Sequence, residues 1–562
     1  MKKYGKILAL AAIIALVAPA FLANSSDKKS QETNQAAVYR NLAIFNSLYK
    51  ELARSYVDTI NPEQNITTAI VYMLDELDPY TEFISAKDRD DFMTISTGEY
   101  GGIGSYIAEL PEGGVCFTEP YEGSPAAIAG IRPGDKILMI DADTTTKWTS
   151  AKVSAKLKGQ ANTVVRVKVQ RPYVQDSIID FEITRKKIQM PSVPFFTAMD
   201  NGIGYIKLTT FNDNSPDEVK NALTELKKDP RVKYIALDLR SNGGGIMESA
   251  IKIANLFLPK NTEVLRTKGR NKQGEKVYKT SSNPVDAQIP LAVIIDGGSA
   301  SASEIVAGSL QDLDRAIIVG SRSYGKGLVQ STVALPYDNM LKLTTQKYYI
   351  PSGRLIQAID YSRRNPDGSV ARMPDSLTTV YHTAAGREVR DGGGITPDVK
   401  ITWQSANRLL YNIVRDRWSF NFATKFAAAH DSIDAPEKFV ITDEIFNDFK
   451  AFIDPKKFNY DKVCESGLSK LRETAKTEGY MNDSTAAVFD QLEKLLHHDL
   501  QKDLDHNRKA ISRLLADEIQ KRFYFQRGSI IESLKDDEAI DSLAKIFADP
   551  EKYRSLLKPS VK

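Results

Sequence analysis

Residues 291–308 read LAVIIDGGSASASEIVAG. Five apolar residues, Leu291 to Ile295, end at Asp296 and a glycine pair, the pattern of a fully buried strand closing into a turn. SEIVAGSLQDL, beginning at Ser303, reads as a helix, so Ser299, Ser301 and Ser303 occupy a strand-to-helix connection. The same unit recurs on both sides. IGYIKLTTF (203–211) is a strand and SPDEVKNALTELKK (215–228) a capped helix. VKYIALDL (232–239) is a strand that runs through RSNGGG into a helix, and AIIVG (316–320) is a strand followed by SRSYGKGLVQ. Strands alternating with helices specify a parallel sheet with crossover helices. The loops after its strands gather at the carboxyl edge, where ligands bind. Topology thus brings together a serine loop, a glycine loop and Lys326.

The serines have a structural and a chemical reading. Ser301-Ala302-Ser303-Glu304 has the spacing of a capping box, in which serine and glutamate satisfy the free N–H groups of a helix start. Those N–H groups are also what an oxyanion requires, so a hydroxyl there can serve as a nucleophile. The inventory disfavours a histidine base and leaves only His382 as a candidate intruder, because no histidine lies between Pro191 and Tyr381. Of the five, His382, His430, His497, His498 and His506, only His382 precedes the helical tail. Lysine can replace histidine if its amine is deprotonated, and Lys326 sits between two glycines that let the backbone pack closely.

The rest of the chain is read around this core. A length of 562 residues exceeds one core, and 42% hydrophobic with 26% charged residues is a globular composition. The formal charge is +3, but Lys2, Lys3 and Lys6 belong to a basic-then-apolar segment ending at Ala18-Pro19-Ala20, which reads as a cleaved signal peptide, the alternative being a stretch counted on to Ala23 and retained, with the protein associated with the cell envelope. Without those lysines the charge is about zero, which excludes nucleic acid as the expected partner. Cys116 and Cys464 form no disulfide framework and read as two buried thiols; no cofactor or metal site is expected. The domain reading is a signal peptide (1–20), a tether (21–37), an N-terminal helical domain (38–91), a β-rich domain (92–190), the α/β core (191–403) and a mixed-charge helical extension (404–562). The extension reads as solvated packing. The fold class is therefore multidomain α+β.

The motifs, in order, resemble the carboxyl-terminal processing, or tail-specific, serine proteases. They are DELDPYTEF (75–83), GEYGGIG (98–104), GSPAAIAGIRPGDKI (123–137), ALDLRSNGGG (236–245), the 297–330 stretch, YYIPSGRLIQ (348–357) and GGGITPD (392–398). The resemblance implies Ser301 as nucleophile, Lys326 as base and Gln330 as the residue that positions the lysine. It implies oxyanion donors at the N–H of Ala302 and of Gly244, with Gly243 or Gly245 as alternatives. Ser299 and Ser303 become loop or cap residues. The 92–190 block becomes a PDZ domain whose Gly101, Gly102, Ile103 and Gly104 receive a substrate's terminal carboxylate, with Arg132 in communication with the protease site. The implied product is an exported, periplasmic endopeptidase acting on protein or peptide C-terminal tails. An adaptor protein and a homodimer built on the N-terminal helices are its candidate partners. Two departures stand out: Ser323-Tyr324 precedes Gly-Lys-Gly where the family has Thr-Phe, and Tyr80-Thr81 replaces His-Ser. The rival readings are a catalytically silent PDZ scaffold or ligand carrier, and an esterase on a related α/β scaffold.

Overall fold

The computed structural model describes residues 35–559 apart from 176, 271–274, 366, 368, 404–406, 459–462 and 498. The expected signal peptide, residues 21–34 of the expected tether, and His498 lie outside the described residues. The chain divides into two units, 1–83 and 84–562.

In the first unit, residues 35–55 are helical, so the last residues of the expected tether already belong to a helix. A second helix, Pro62–Asp75, starts where Asn61 accepts from the Gln64 N–H and proline occupies the first turn. Leu74 is buried, whereas Leu42, Phe45, Leu48, Met73 and Leu77, apolar residues at helical spacing, are 45–61% exposed and lie largely on the surface.

The second unit begins with the β-rich domain. Strands Ser105–Glu109, Val115–Pro120, Lys136–Ile140, Val164–Gln170 and Ile178–Thr184 pair antiparallel in one sheet. Its inward residues, among them Phe117, Ile137, Ile140, Val165 and Val167, enclose the core together with Val153 of helix Ser150–Leu157. Ser124 and Thr149 cap the two short helices as their positions before the helical runs require. Cys116 is buried here, but Cys464 is exposed, which corrects the expectation of two buried thiols. Cys464 lies on helix Val463–Thr477, none of whose residues is buried.

The α/β core holds a sheet in the order β1 (Phe195–Ala198), β2 (Ile203–Lys207), β3 (Tyr234–Asp238), β4 (Leu291–Ile295), β5 (Ile317–Gly320), β6 (Val399–Lys400). Only β1 runs antiparallel to its neighbour. Both faces are covered, which is why the strands read as continuous apolar runs. Ile206, Ile235, Leu237, Leu291, Val293, Ile295 and Ile318 face helices α1 (Ser215–Leu226), α2 (Met247–Asn255) and α3 (Ala302–Asp312). The alternate residues Ile203, Tyr205, Ala236, Ala292, Ile294, Ile317 and Val319 face the other way, as the two-residue period of a strand dictates. α1 is not capped by its own serine: Asn212 Oδ1 accepts from the Asn214 and Ser215 N–H groups instead.

The second face is covered by the end of the chain. Ala539, Ile540, Leu543, Ile546, Phe547 and Tyr553 pack on the sheet, and the Tyr553 hydroxyl both accepts from the Leu291 N–H (3.0 Å) and donates to its carbonyl (3.2 Å). The helices Glu538–Phe547 and Pro550–Leu556 are therefore a layer of the α/β core, where the sequence was read as solvated packing. Residues 408–519 build a separate aromatic core around Phe422, Phe446 and Phe449. Among the described residues no helix is long and apolar enough to cross a membrane.

Candidate active site

The site forms where the loops after β3, β4 and β5 meet. Asp296 closes β4, and its carboxylate accepts from the N–H groups of Gly298 (2.9 Å) and Ser241 (2.8 Å), joining the first two loops. Ser299 donates its hydroxyl to the Leu239 carbonyl at 2.8 Å, and Ser303 donates to the Asn242 carbonyl at 2.8 Å. Both are fully buried, whereas Ser301 is partly exposed, so the middle serine is the one that solvent and substrate can reach. Its backbone has φ 56° and ψ −111°, not the extended conformation of an ordinary N-cap. Such strain costs on the order of 1–3 kcal/mol and persists only where the surroundings enforce it.

Glu304 and Tyr348 enforce it. Oε2 of Glu304 accepts from the N–H groups of Ser301 (2.9 Å) and Lys326 (2.8 Å). Oε1 accepts from the Gly325 N–H (2.7 Å) and the Ser323 hydroxyl (2.5 Å). The Tyr348 hydroxyl lies 3.2 Å from the Ser301 carbonyl and 2.6 Å from that of Lys326. One buried carboxylate and one buried phenol thus fasten the serine loop to the lysine loop, and a Tyr324 N–H to Ser299 carbonyl bond of 3.0 Å adds a third tie. Burial pushes the Glu304 carboxyl up to about 7, against the pull of its four hydrogen bonds.

The glycine loop lies against the serine. A Cβ on Gly244 (φ 99°) would stand 2.8 Å from the Ser301 Cβ and 2.9 Å from the Ala302 nitrogen. Ala302 is the first residue of α3, so its N–H is among those a helix start leaves unpaired. The Gly244 N–H, however, donates to Asn242 Oδ1 at 2.9 Å. The flanking Gly243 and Gly245, the alternatives the sequence left open, are exposed. Asn242 is the hub of this loop: its amide donates to the Leu208 carbonyl and its own carbonyl also accepts from the Ala300 N–H. Beneath it, Asp238 is held at about 2: burial opposes ionisation, but Lys207 and Arg240 overcome it. Arg240 continues the pairing to Asp537, 2.7 Å away at the start of the chain-terminal layer.

The remaining expected residues fall as follows. Gln330 lies at a bulge of strand Leu328–Ala334, where its amide donates to Thr344 Oγ1 at 3.1 Å. His382 is exposed on the ribbon Val380–His382. Gly101 and Gly102 stand in a two-stranded ladder opposite Lys187 and Lys186, and Ile103 and Gly104 form the corner that leads into strand Ser105–Glu109. The carbonyls of Ile103 and Gly104 accept from Ala126 and Tyr121, which anchors that corner to the first helix of the domain. Arg132 does not line the serine loop; with Thr424, His430 and Arg522 it borders a cleft of about 220 Å³ against the helical domain. Sequence reasoning missed the roles of Asn242 and Tyr348, and saw Glu304 only as a cap; S-x-x-E was the one signal available for it.

The arrangement suits acyl transfer: a reachable hydroxyl at a helix start, free N–H groups beside it, and a lysine on the adjoining loop. Comparison with known proteins agrees. Residues 202–370 match the model of peptidase family S41, residues 117–171 that of a PDZ domain, and residues 409–547 that of a "Probable PDZ-protease, C-terminal helical domain". The carboxy-terminal-processing protease of Bartonella bacilliformis is 33% identical over 353 residues, covering 62% of this chain and 80% of that protein. A probable CtpA-like serine protease of Staphylococcus haemolyticus is 30% identical over 432 residues, covering 75% and 84%. The solved photosystem II D1 C-terminal processing protease aligns at 27% identity and a TM-score of 0.35, over 63% of this chain and 86% of that one. The chain belongs to the PDZ-containing carboxy-terminal-processing serine proteases of peptidase family S41.

Proposed function

We propose that this chain is an exported endopeptidase that cuts proteins at or near their C-terminal tails with a Ser301–Lys326 dyad, its PDZ domain reading the substrate terminus. The observation that supports the dyad is the double fastening of Ser301 and Lys326 by Glu304 and Tyr348. Neutral Lys326 accepts the Ser301 proton as the hydroxyl attacks the scissile carbonyl, with Gln330 positioning the lysine. The N–H of Ala302 and one from Gly243–Gly245 hold the oxyanion, each donor worth about a hundredfold or more in rate. Lysine then protonates the leaving amine, and water releases the acyl group. The substrate terminus enters along strand Ser105–Glu109, which adds it to the sheet, with the Gly101–Gly104 corner receiving its carboxylate.

Export to the periplasm rests on residues 1–20. A homodimer through the first unit accounts for the exposed stripe of Leu42, Phe45 and Leu48. The test of the dyad is cleavage of an unfolded protein bearing an apolar C-terminus, with products mapped by mass. Ser301→Ala and Lys326→Ala should abolish cleavage and Ser303→Ala should retain it. Cleavage by the first two variants at the wild-type rate rejects the dyad, and loss in Ser303→Ala alone moves the nucleophile.

A further inference from the structure

A cavity of about 570 Å³ opens where the PDZ domain, the α/β core and helix Arg508–Leu534 meet. On the PDZ side it is lined by Glu119 and by Tyr106, which lies on strand Ser105–Glu109 with its ring edge-on to Tyr121 at 5.1 Å. On the α/β side it is lined by Glu218 and by Thr210. Thr210 adjoins Phe211, whose backbone bonds to the glycine loop at Gly244 and Ile246. The third wall includes Phe525, where the long helix is broken by a residue with φ 54° and ψ −154°. The cavity therefore lies between the strand that would pair with a substrate terminus and Thr210, one residue before the segment hydrogen-bonded to the glycine loop.

Its chemistry is that of a cation site. Burial pushes the carboxyls of Glu119 and Glu218 above the usual carboxylate range. The cation nearest in effect to Glu119 is Lys521, but that ammonium is already engaged by Asp517 at 2.6 Å and Glu518 at 3.5 Å. Glu218 accepts from backbone, from the N–H groups of Val193 (2.8 Å) and Ser192. Glu122 and Arg527 line the cavity too; both are exposed and their charges offset. Two partly desolvated carboxylates gain by meeting a positive group, and Tyr106, Tyr121 and Phe525 line the same cavity with aromatic surface on which a cation can pack. A planar guanidinium satisfies both demands better than an ammonium, since it stacks and forks to carboxylates.

We propose that this cavity is a substrate subsite for a basic side chain, arginine before lysine, carried by the polypeptide between its PDZ-held terminus and the bond presented to Ser301. The proposal rests on the protease reading and deepens it by naming a substrate class.

The test uses the full chain and peptides sharing one apolar C-terminus, with Arg, Lys, Ala or Glu placed at each internal position in turn. At one position Arg should lower KM about tenfold relative to Ala, Lys should lower it less and Glu should raise it, the scale of one charge-assisted contact. In Glu119→Gln and in Glu218→Gln the Arg-to-Ala ratio should fall to about one. Either variant suffices if the other fails to fold. Peptide binding by Ser301→Ala, read by fluorescence anisotropy, should show the same preference without chemistry. Cleavage with no position at which Arg outperforms Ala, or a preference that survives both glutamine variants, overturns the subsite. An arginine preference in binding with no cleavage by wild type upholds the subsite and overturns the protease reading.

Discussion

Replacing Glu304 by glutamine tests whether one buried carboxylate holds the catalytic loops. The carboxylate accepts four donors, two on each oxygen, and the side chain is fully buried. Glutamine keeps one oxygen, whose better use is to accept from Ser301 and Lys326. Its amide nitrogen then meets the Ser323 hydroxyl, which can turn to accept, and the Gly325 N–H, which cannot. One orphaned buried N–H costs about 1–3 kcal/mol. In the proposed dyad these loops set the position of Ser301 against Lys326, so a displacement of about 1 Å should cost on the order of a hundredfold in kcat. The pH dependence gives the argument a sign. The Glu304 carboxyl is raised from 4.5 to about 7 in the folded chain, so the folded state holds the extra proton between those values. Its contribution to stability is full below pH 4.5 and is lost as pH rises through about 7. The advantage of wild type over Glu304→Gln should thus shrink between pH 5 and pH 8, by up to roughly 3 kcal/mol. Urea denaturation midpoints at pH 5, 6.5 and 8, with kcat and KM on one peptide, read both effects. A variant with wild-type kcat, or a stability gap that does not change with pH, refutes the reasoning.

Gly244→Ala should lower kcat by about a hundredfold or more, because its methyl meets Ser301 and Ala302 within 3 Å at a φ that L-residues avoid; single-turnover cleavage measures it. Asp537→Ala should destabilise by about 1–3 kcal/mol, since it removes the N-cap of helix Glu538–Phe547 and one of the two carboxylates on Arg240, which stays paired to Asp238, while Asp537→Asn should lose less. Denaturation of both variants checks the order. Tyr348→Phe keeps the buried ring but removes the single proton shared between the carbonyls of Lys326 (2.6 Å) and Ser301 (3.2 Å), so kcat should fall about tenfold and stability by about 1–2 kcal/mol, read from kinetics and denaturation. Stopping the chain at Lys535 should leave no folded α/β core, because the sheet face of Ile203, Ala292 and Ile317 would lose its cover; circular dichroism of the truncated chain decides it.

Strands β2 to β5 and the loops after them were legible because a doubly covered parallel strand must be apolar throughout and must end in a polar turn. That the loops carrying Ser301 and Lys326 share one sheet edge was legible from the alternation of strands and helices. Glu304 was visible in S-x-x-E, but its bonds to Ser323, Gly325 and Lys326 span a second loop, and no local pattern encodes them. The same holds for Asn242, which reads as a turn residue and acts as a brace, and for Gly244, whose N–H the brace consumes. The sequence by itself determined the order of elements, the β-rich and α/β patterns and an inventory with lysine but almost no histidine in the core, because periodicity and composition are local properties. Tertiary structure alone decided which serine stays reachable, which buried groups pin Ser301 in a strained backbone, and that the last helices form half of the sheet's cover. An amphipathic helix such as Glu538–Phe547 announces that it will bury a face, but not against what; the partner surface exists only once distant segments have packed.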